Sequence, residues 1–332
     1  MITRRFTIPE IRRIEIEEFK IEEIPDDGIL IENEFTAVSI GTEIYNWTMG
    51  SEPGGKPIFP KATGYCNVGR VLEVGAAVEG VSIGDRIAGQ GMHASHNILR
   101  VASGFVRVPD EVESKSAAFM IMAAIALRGV RVARIQLGET VVVFGLGLVG
   151  QLCALISRVS GGVPVIGVDI DDFRVSTAAQ NSCDLAINPD QVDDLRADIS
   201  EICPDDGANV ILECTGKPMV YPLATSLACL GGRLVAVGSP RGTVEMDFFP
   251  DIHCREVSIF GAHQGRTPKQ DHLSYRFHRE RERQLVMELM ASGRLPISNL
   301  ITHEFEPNDC QRVYTMLADN PQKVLGVLFC WQ

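Results

Sequence analysis

Residues 141–150 read Val-Val-Val-Phe-Gly-Leu-Gly-Leu-Val-Gly, and no other stretch of the chain restricts its fold as much. Four apolar residues form a short strand fit to be covered on both faces. Gly145, Gly147 and Gly150 then make a G-x-G-x-x-G, and Leu148 and Val149 open a helical run. The first glycine allows a tight turn. The second lets backbone N–H groups approach a pyrophosphate, and the third lets helix and strand pack closely. The start of the helix adds a partial positive charge. Such a glycine pattern is weak in isolation and gains weight between a strand and a helix.

The surrounding sequence has the same rhythm. Apolar strands are expected at 139–145, 163–170, 208–214, 232–238 and 257–263, with helices at 148–160, 174–183 and 219–229. That alternation implies an α/β fold with a doubly wound parallel sheet, in which ligands bind at the carboxyl ends of the strands. The second strand ends at Asp169-Ile170. A carboxylate there accepts hydrogen bonds from both adenosine ribose hydroxyls and repels a 2′-phosphate, which favours NAD over NADP. Arg174, five residues on, could instead hold that phosphate. The turns at Cys214-Thr215 and Gly238-Ser239 are expected to line the nicotinamide half.

Residues 1–110 have a different texture. Ile14, Ile16 and Phe19 alternate with charges, a Gly/Pro-rich loop fills 50–60, and strand-like runs occupy Gly69–Val74 and Ile83–Ala88. Short strands at this spacing point to a small barrel or Greek-key sheet. From 114 to 135 the chain is Ala-rich and helical in composition, with Ser114 as the expected N-cap. A charged segment after His263 leads to a helix at 284–293 closed by Gly293. A helix near Pro307–Ala318 and a strand at 324–329 follow.

The 332 residues carry 43 acidic against 31 basic side chains, a net charge of −12. Such a chain repels a phosphate backbone and lacks a polybasic run for anionic lipid, so neither nucleic acid nor membrane is an expected partner. The nine cysteines include no C-x2-C pair, which argues against a zinc ribbon and for reduced, buried thiols in a cytoplasmic protein. The first residues hold no apolar stretch of signal-peptide length.

Taken together, the segments SIGTE (39–43), GYCNVGRVLEVG (64–75), GDRIAG (84–89), VPDEV (108–112) and the glycine loop resemble the medium-chain dehydrogenase/reductase superfamily. The resemblance spans nearly the whole chain. It implies a GroES-like β-rich catalytic domain at 1–112 and 263–332, a Rossmann domain at 113–262, and a homodimer or homotetramer. An edge-to-edge pairing of the VSIFGA strand is the expected dimer contact. It also implies that Gly261 and His263 lie near the nicotinamide. The zinc-dependent members of that superfamily place ligands where this chain has Ile40, Tyr65 and Ile121 or Met120, none of them a zinc ligand in such enzymes. The resemblance is thus to a zinc-free subgroup, which includes bacteriochlorophyllide dehydrogenases and uncharacterised sugar or polyol dehydrogenases. Cys66 with His93 or His96 could still improvise a weak metal site.

Without zinc, hydrogen-bond donors must stabilise the substrate oxyanion. Tyr65 is the expected donor, with a phenol that a cationic nicotinamide would make more acidic. Thr42 stands at the family's proton-relay hydroxyl. Glu43 could act as a base if buried, or pair with an arginine such as Arg86. His93, His96 and His263 are further candidates for proton transfer or substrate contact. The arginines of 276–283 read as a solvated helix face, with an anion site as the alternative. The expected activity is NAD-dependent, zinc-independent oxidation of an alcohol, polyol or sugar. A zinc-free quinone or enoyl reductase and a catalytically silent cofactor-binding relative are the competing readings.

Overall fold

The computed structural model describes residues 1–21, 23–50, 58–270, 276–321 and 323–332. The chain separates into two compact units, one of Met1–Met122 with Pro268–Gln332 and one of Ala123–Thr267. The expected division was 1–112 with 263–332, and 113–262. Most of the Gly/Pro-rich loop at 50–60 lies outside the described residues.

In the first unit β1 (Ile2–Glu10) and β2 (Arg13–Lys20) form a hairpin, with Arg12 in the left-handed region at φ 60°. Then come β3 (Gly28–Ala37), α1 (Ile40–Met49), β4 (Lys61–Ala62), β5 (Asn67–Val74), β6 (Arg86–Gly89), β7 (His96–Arg100) and β8 (Val106–Arg107). β3 runs antiparallel to β5 and to β7, and β5 continues through β6 to β8. The strand expected from Ile83 begins only at Arg86, because the Asp85 carboxylate accepts the Ser82 N–H at 2.9 Å and closes a turn first.

Helix α1 is not foreshadowed by the sequence pattern. Its buried face consists of Glu43 and Trp47, one turn apart. The Glu43 carboxylate reaches back to the N-cap Ser39 N–H at 2.7 Å, as in a capping box displaced by one residue.

The helix expected at 114–135 is divided into α2 (Ser114–Ala117) and α3 (Met120–Ala133). Glu113, not Ser114, occupies the N-cap of α2, and the Ser114 hydroxyl instead meets Arg86 Nη1 at 3.3 Å.

The second unit carries β9 (Val141–Phe144), α4 (Leu148–Val159), β10 (Val165–Val168), α5 (Asp172–Asn181), β11 (Leu185–Ile187), α6 (Leu195–Ile202), β12 (Ala208–Glu213), α7 (Tyr221–Ser226), β13 (Ala228–Ala236) and β14 (Ser258–Gly261). The strands are all parallel, in the order β11-β10-β9-β12-β13-β14. This is the doubly wound sheet that the alternation implies, and its order reverses between β9 and β12. Val141, Val142 and Val143 have no solvent exposure, consistent with cover on both faces. One core cluster joins Val142, Phe144, Ile166 and Leu234 of the sheet to Ile199, Tyr221 and Leu227 beside it.

The chain then returns to the first unit with α8 (Arg279–Ala291), β15 (Ile301–Phe305), α9 (Cys310–Asp319) and β16 (Gly326–Cys330). β16 lies between β15 and β3. Helix α8 starts inside the charged segment rather than at 284. The solvated face expected of 276–283 does not extend to Glu282 and Arg283, which are buried. Arg283 donates to the carbonyls of Ser103 and Gly104 and to Gln90 Oε1, so its charge is held by neutral acceptors. Among the described residues no helix is long and apolar enough to cross a membrane.

Candidate active site

In the second unit, three turns at the carboxyl ends of β9, β12 and β13 press on one another. Gly145 sits at φ 87°, a conformation costly for any residue with a Cβ, and its N–H donates to Val168 O at 2.8 Å. A Cβ on Gly145 would lie 2.9 Å from Thr215 N. A Cβ on Gly150 would fall 1.7 Å from Gly145 O, and one on Gly238 would fall 2.4 Å from Gly216 N. Gly147 differs. It is the N-cap of α4, makes no side-chain cap, and a Cβ there would meet nothing within 4 Å. Beside that open space, the first turn of α4 has N–H groups that lack intrahelical acceptors, as a pyrophosphate cradle requires.

Asp169 closes the far side of this loop. Its Oδ2 accepts the Leu146 N–H at 2.7 Å and its Oδ1 accepts the Asp171 N–H at 3.0 Å. Arg174 Nη1 lies 3.7 Å from Oδ2, so carboxylate and guanidinium share the strand end. Leu148 is buried, Val149 half-buried, and Ile170, Ser239, Gly261 and His263 exposed. Cys214, Thr215 and Gly238 are half-buried. These residues fit a dinucleotide: the glycine loop for its phosphates and Asp169 for its adenosine ribose.

In the first unit one expected catalytic residue, His93, bonds another, the Glu43 carboxylate, while His263 belongs to the second unit. Glu43 is 2% exposed. Its Oε2 accepts from Thr63 Oγ1 at 3.1 Å, from His93 Nε2 at 2.9 Å and from the Tyr314 hydroxyl, while Oε1 accepts the Ser39 N–H. Burial pushes the Glu43 carboxyl up, but the His93 ring and the hydrogen bonds from His93, Tyr314 and Ser39 more than reverse this and leave it below the usual range. His93 is fully buried, and its Nδ1 meets Thr36 Oγ1 at 2.7 Å. Trp331 Nε1 donates to the same Thr36 oxygen at 2.9 Å. Every hydrogen finds an acceptor if His93 carries its ring proton on Nε2, an assignment made from the network. The Arg86 pairing expected as an alternative for Glu43 is not formed. The Arg86 guanidinium donates to the carbonyls of Val112 and Pro109.

Beside this network the Tyr65 hydroxyl donates to Ser39 Oγ, with the Thr42 hydroxyl also in reach. Burial, and next the Cys66 thiol, push the Tyr65 phenol above its ordinary value. The protein thus works against the acidification expected from a cationic ring. Thr36, Ser39, Thr63, Tyr314 and Trp331 are the residues of this network that sequence reading missed. Ser39 lies inside the quoted SIGTE segment, but Thr63 and Tyr314 stand in no motif.

The positions expected to lack zinc ligands hold Ile40, packed into an apolar cluster, and buried Met120 and Ile121. Burial drives the Cys66 thiol well above its ordinary value, which disfavours the thiolate a metal needs. His93 has both ring nitrogens engaged, and His96 contacts Thr3 and Ser95. Among the described residues no group of three or more His, Cys, Asp or Glu side chains is placed to hold a metal ion.

Comparison with known proteins agrees with this architecture. A family model described as zinc-binding dehydrogenase matches residues 149–281. The chain is 25% identical over 329 residues to sorbitol dehydrogenase 2 of Saccharomyces cerevisiae, covering 87% of each protein. It is 27% identical over 237 residues to D-guloside 3-dehydrogenase of Escherichia coli, covering 70% of this chain and 67% of that protein. The crystal structure of 2R,3R-butanediol dehydrogenase from Bacillus subtilis matches with a TM-score of 0.84 at 21% identity, over 99% of both chains. The segment 149–281 is thus similar to the zinc-binding dehydrogenases, and the fold is that of 2R,3R-butanediol dehydrogenase.

Proposed function

We propose that this chain is an NAD-dependent oxidoreductase that moves a hydride between nicotinamide and the alcohol or ketone carbon of a polyol or sugar-like substrate, without a resident zinc. The observation that carries the reading is the tight glycine loop opening onto α4, with Asp169 at the adjacent strand end. When bound, NAD supplies the hydride acceptor at its nicotinamide ring. Gly145, Gly147 and Gly150 shape the phosphate cradle, and Asp169 orients the adenosine ribose and disfavours a 2′-phosphate. The names of the relatives, sorbitol and D-guloside dehydrogenases, support a polyhydroxylated substrate. Ile40, Tyr65 and Ile121 or Met120 support zinc independence, because the side chains standing where the family's metal would be held offer hydrocarbon, a phenol and at most a thioether.

Tyr65 would then donate to the substrate oxygen. A phenol held above its ordinary value stays protonated at neutral pH, which suits stabilisation of an alkoxide better than proton abstraction. The decisive experiment is a screen of polyols, sugars and simple alcohols for NAD reduction by protein dialysed against chelator, with zinc measured by elemental analysis. Activity with NAD well above NADP and less than stoichiometric zinc is expected. One tightly bound zinc per chain, or equal use of both cofactors, overturns the corresponding part. Reduction of quinones or enones alone moves the protein to the competing class. Tyr65→Phe is expected to lower turnover by about 100-fold while the NADH dissociation constant stays unchanged; unchanged turnover returns Tyr65 to a packing role.

A further inference from the structure

Glu213, the last residue of β12, is a carboxylate with no solvent exposure. The dinucleotide reading gives it no task, and no cation is paired with it among the described residues. Instead it gathers donors from the turn that follows it. Its Oε1 accepts the Thr215 N–H at 2.7 Å, the Thr215 hydroxyl, and the Gly216 N–H at 3.1 Å. Its own carbonyl accepts Val237 N–H at 2.9 Å and Gly238 N–H at 2.7 Å, which ties in the turn after β13. One residue therefore folds two of the three turns that converge on the glycine loop. The fit is close, since Thr215 N lies 2.9 Å from where a Gly145 Cβ would stand.

The groups around this carboxylate are all donors or neutral acids. The Tyr221 hydroxyl of α7 is buried beside it and faces it as a further donor. The Cys214 thiol lies 3.7 Å from Cys153 of α4. Burial, and next the charge of Glu213, push the Tyr221 phenol up, and the Cys153 contact and burial push the Cys214 thiol well up. Both stay uncharged at neutral pH. Burial likewise raises the Glu213 carboxyl, only partly opposed by its hydrogen bonds from Thr215, Gly216 and Tyr221. For a group whose folded value is raised, the stability contribution is full below the unfolded value and is lost as pH rises through the folded value. Ionised Glu213 thus costs the free fold stability at neutral pH. A carboxylate kept at such a cost, at a ligand-binding strand end, calls for a use.

We infer that Glu213 is a positioning residue of the cofactor site: its carboxylate holds the Cys214–Thr215–Gly216 turn in the shape that receives the dinucleotide, so that binding is coupled to the ionisation of this side chain. Ionised, it accepts three charge-assisted hydrogen bonds. Protonated, it turns a hydroxyl donor toward a ring of donors, and the turn loosens. By linkage, cofactor affinity rises with pH through the range in which Glu213 loses its proton. The inference rests on the dinucleotide reading above.

The test is NADH binding by the full chain, followed by nucleotide fluorescence from about pH 8 to about pH 5, for the native protein, Glu213→Gln and Glu213→Asp. Native affinity is expected to weaken toward acid. Glu213→Gln keeps the size but cannot ionise, so it is expected to bind about tenfold more weakly at the alkaline end and to lose the pH dependence. Glu213→Asp, one methylene short but still titratable, is expected to bind weakly with the dependence retained, and it serves if the Gln variant fails to fold. A purely structural Glu213 would weaken binding equally at every pH in both variants. Native binding with an unaltered pH profile in Glu213→Gln, or a flat profile in Glu213→Asp, overturns the inference alone. Absence of NADH binding by the native chain overturns the dinucleotide reading and this inference with it.

Discussion

Glu43→Ala is expected to lower the stability of the first unit by several kcal/mol, at about 1–3 kcal/mol for each buried donor left without its acceptor. The loss leaves Ser39 N–H, Thr63, His93 and Tyr314 without their shared acceptor. The chain's only tryptophans, Trp47 and Trp331, both lie in this unit, and Trp331 belongs to the network through Thr36. Intrinsic fluorescence during urea unfolding therefore reports this unit selectively. Glu43→Gln should cost less, because an amide oxygen can still serve the Oε2 donors. The two variants also separate by pH. The folded value of Glu43 is depressed, so its contribution is present above the unfolded carboxylate value and is lost as pH falls through the depressed one. The native unit should lose stability over that acid window, and Glu43→Gln should lose markedly less. A Glu43→Ala protein with native urea resistance would show that the network carries no net stability.

Gly150→Ala is expected to abolish measurable NADH binding, a weakening of at least about 100-fold, equivalent to about 2.7 kcal/mol. A single added methyl would lie 1.7 Å from a backbone oxygen, Gly145 O, and neither partner is a flexible side-chain end. The loop must open, and the first turn of α4 moves with it. Gly147→Ala is the matched control. Its methyl meets nothing in the protein, so thermal stability should hardly change, yet it enters the space the phosphates need and affinity should fall. Equal, native affinity in both variants would remove the glycine loop from the binding site. Loss in Gly150→Ala with full retention in Gly147→Ala would mean that the loop matters only for packing.

These two predictions also mark what the sequence made legible. The glycine loop, the alternating apolar strands and Asp169 are local signals, because each depends on residues within a few positions of one another. The Glu43 cluster is not local. Thr36, Ser39, Glu43, Thr63, His93, Tyr314 and Trp331 come from six separate segments, and only packing joins them. Residue type suggested Glu43 and His93 as candidates but not that each is the other's partner. Helix α1 was hidden because Ile40-Gly41-Thr42 continues the preceding β pattern and its buried face includes a carboxylate. Arg283 was misjudged for a related reason. A run of Arg and Glu reads as solvated, and only the tertiary fold brings the Ser103 and Gly104 carbonyls to it.

The placement of β16 has a consequence for how the protein is made. This strand pairs with the nearby β15 on one side and, across nearly the whole length of the chain, with β3 on the other. The first 122 residues therefore lack a central strand of their own sheet until residues 326–330 emerge. At about 5–20 residues per second of synthesis, that wait lasts roughly 10–40 s. Meanwhile the edge of β3 over Phe35–Ala37 stays open, and the second unit, contiguous in sequence, can fold first. The nascent first unit thus carries an open strand edge during translation, and truncation within β16 should be far more damaging than its few residues suggest.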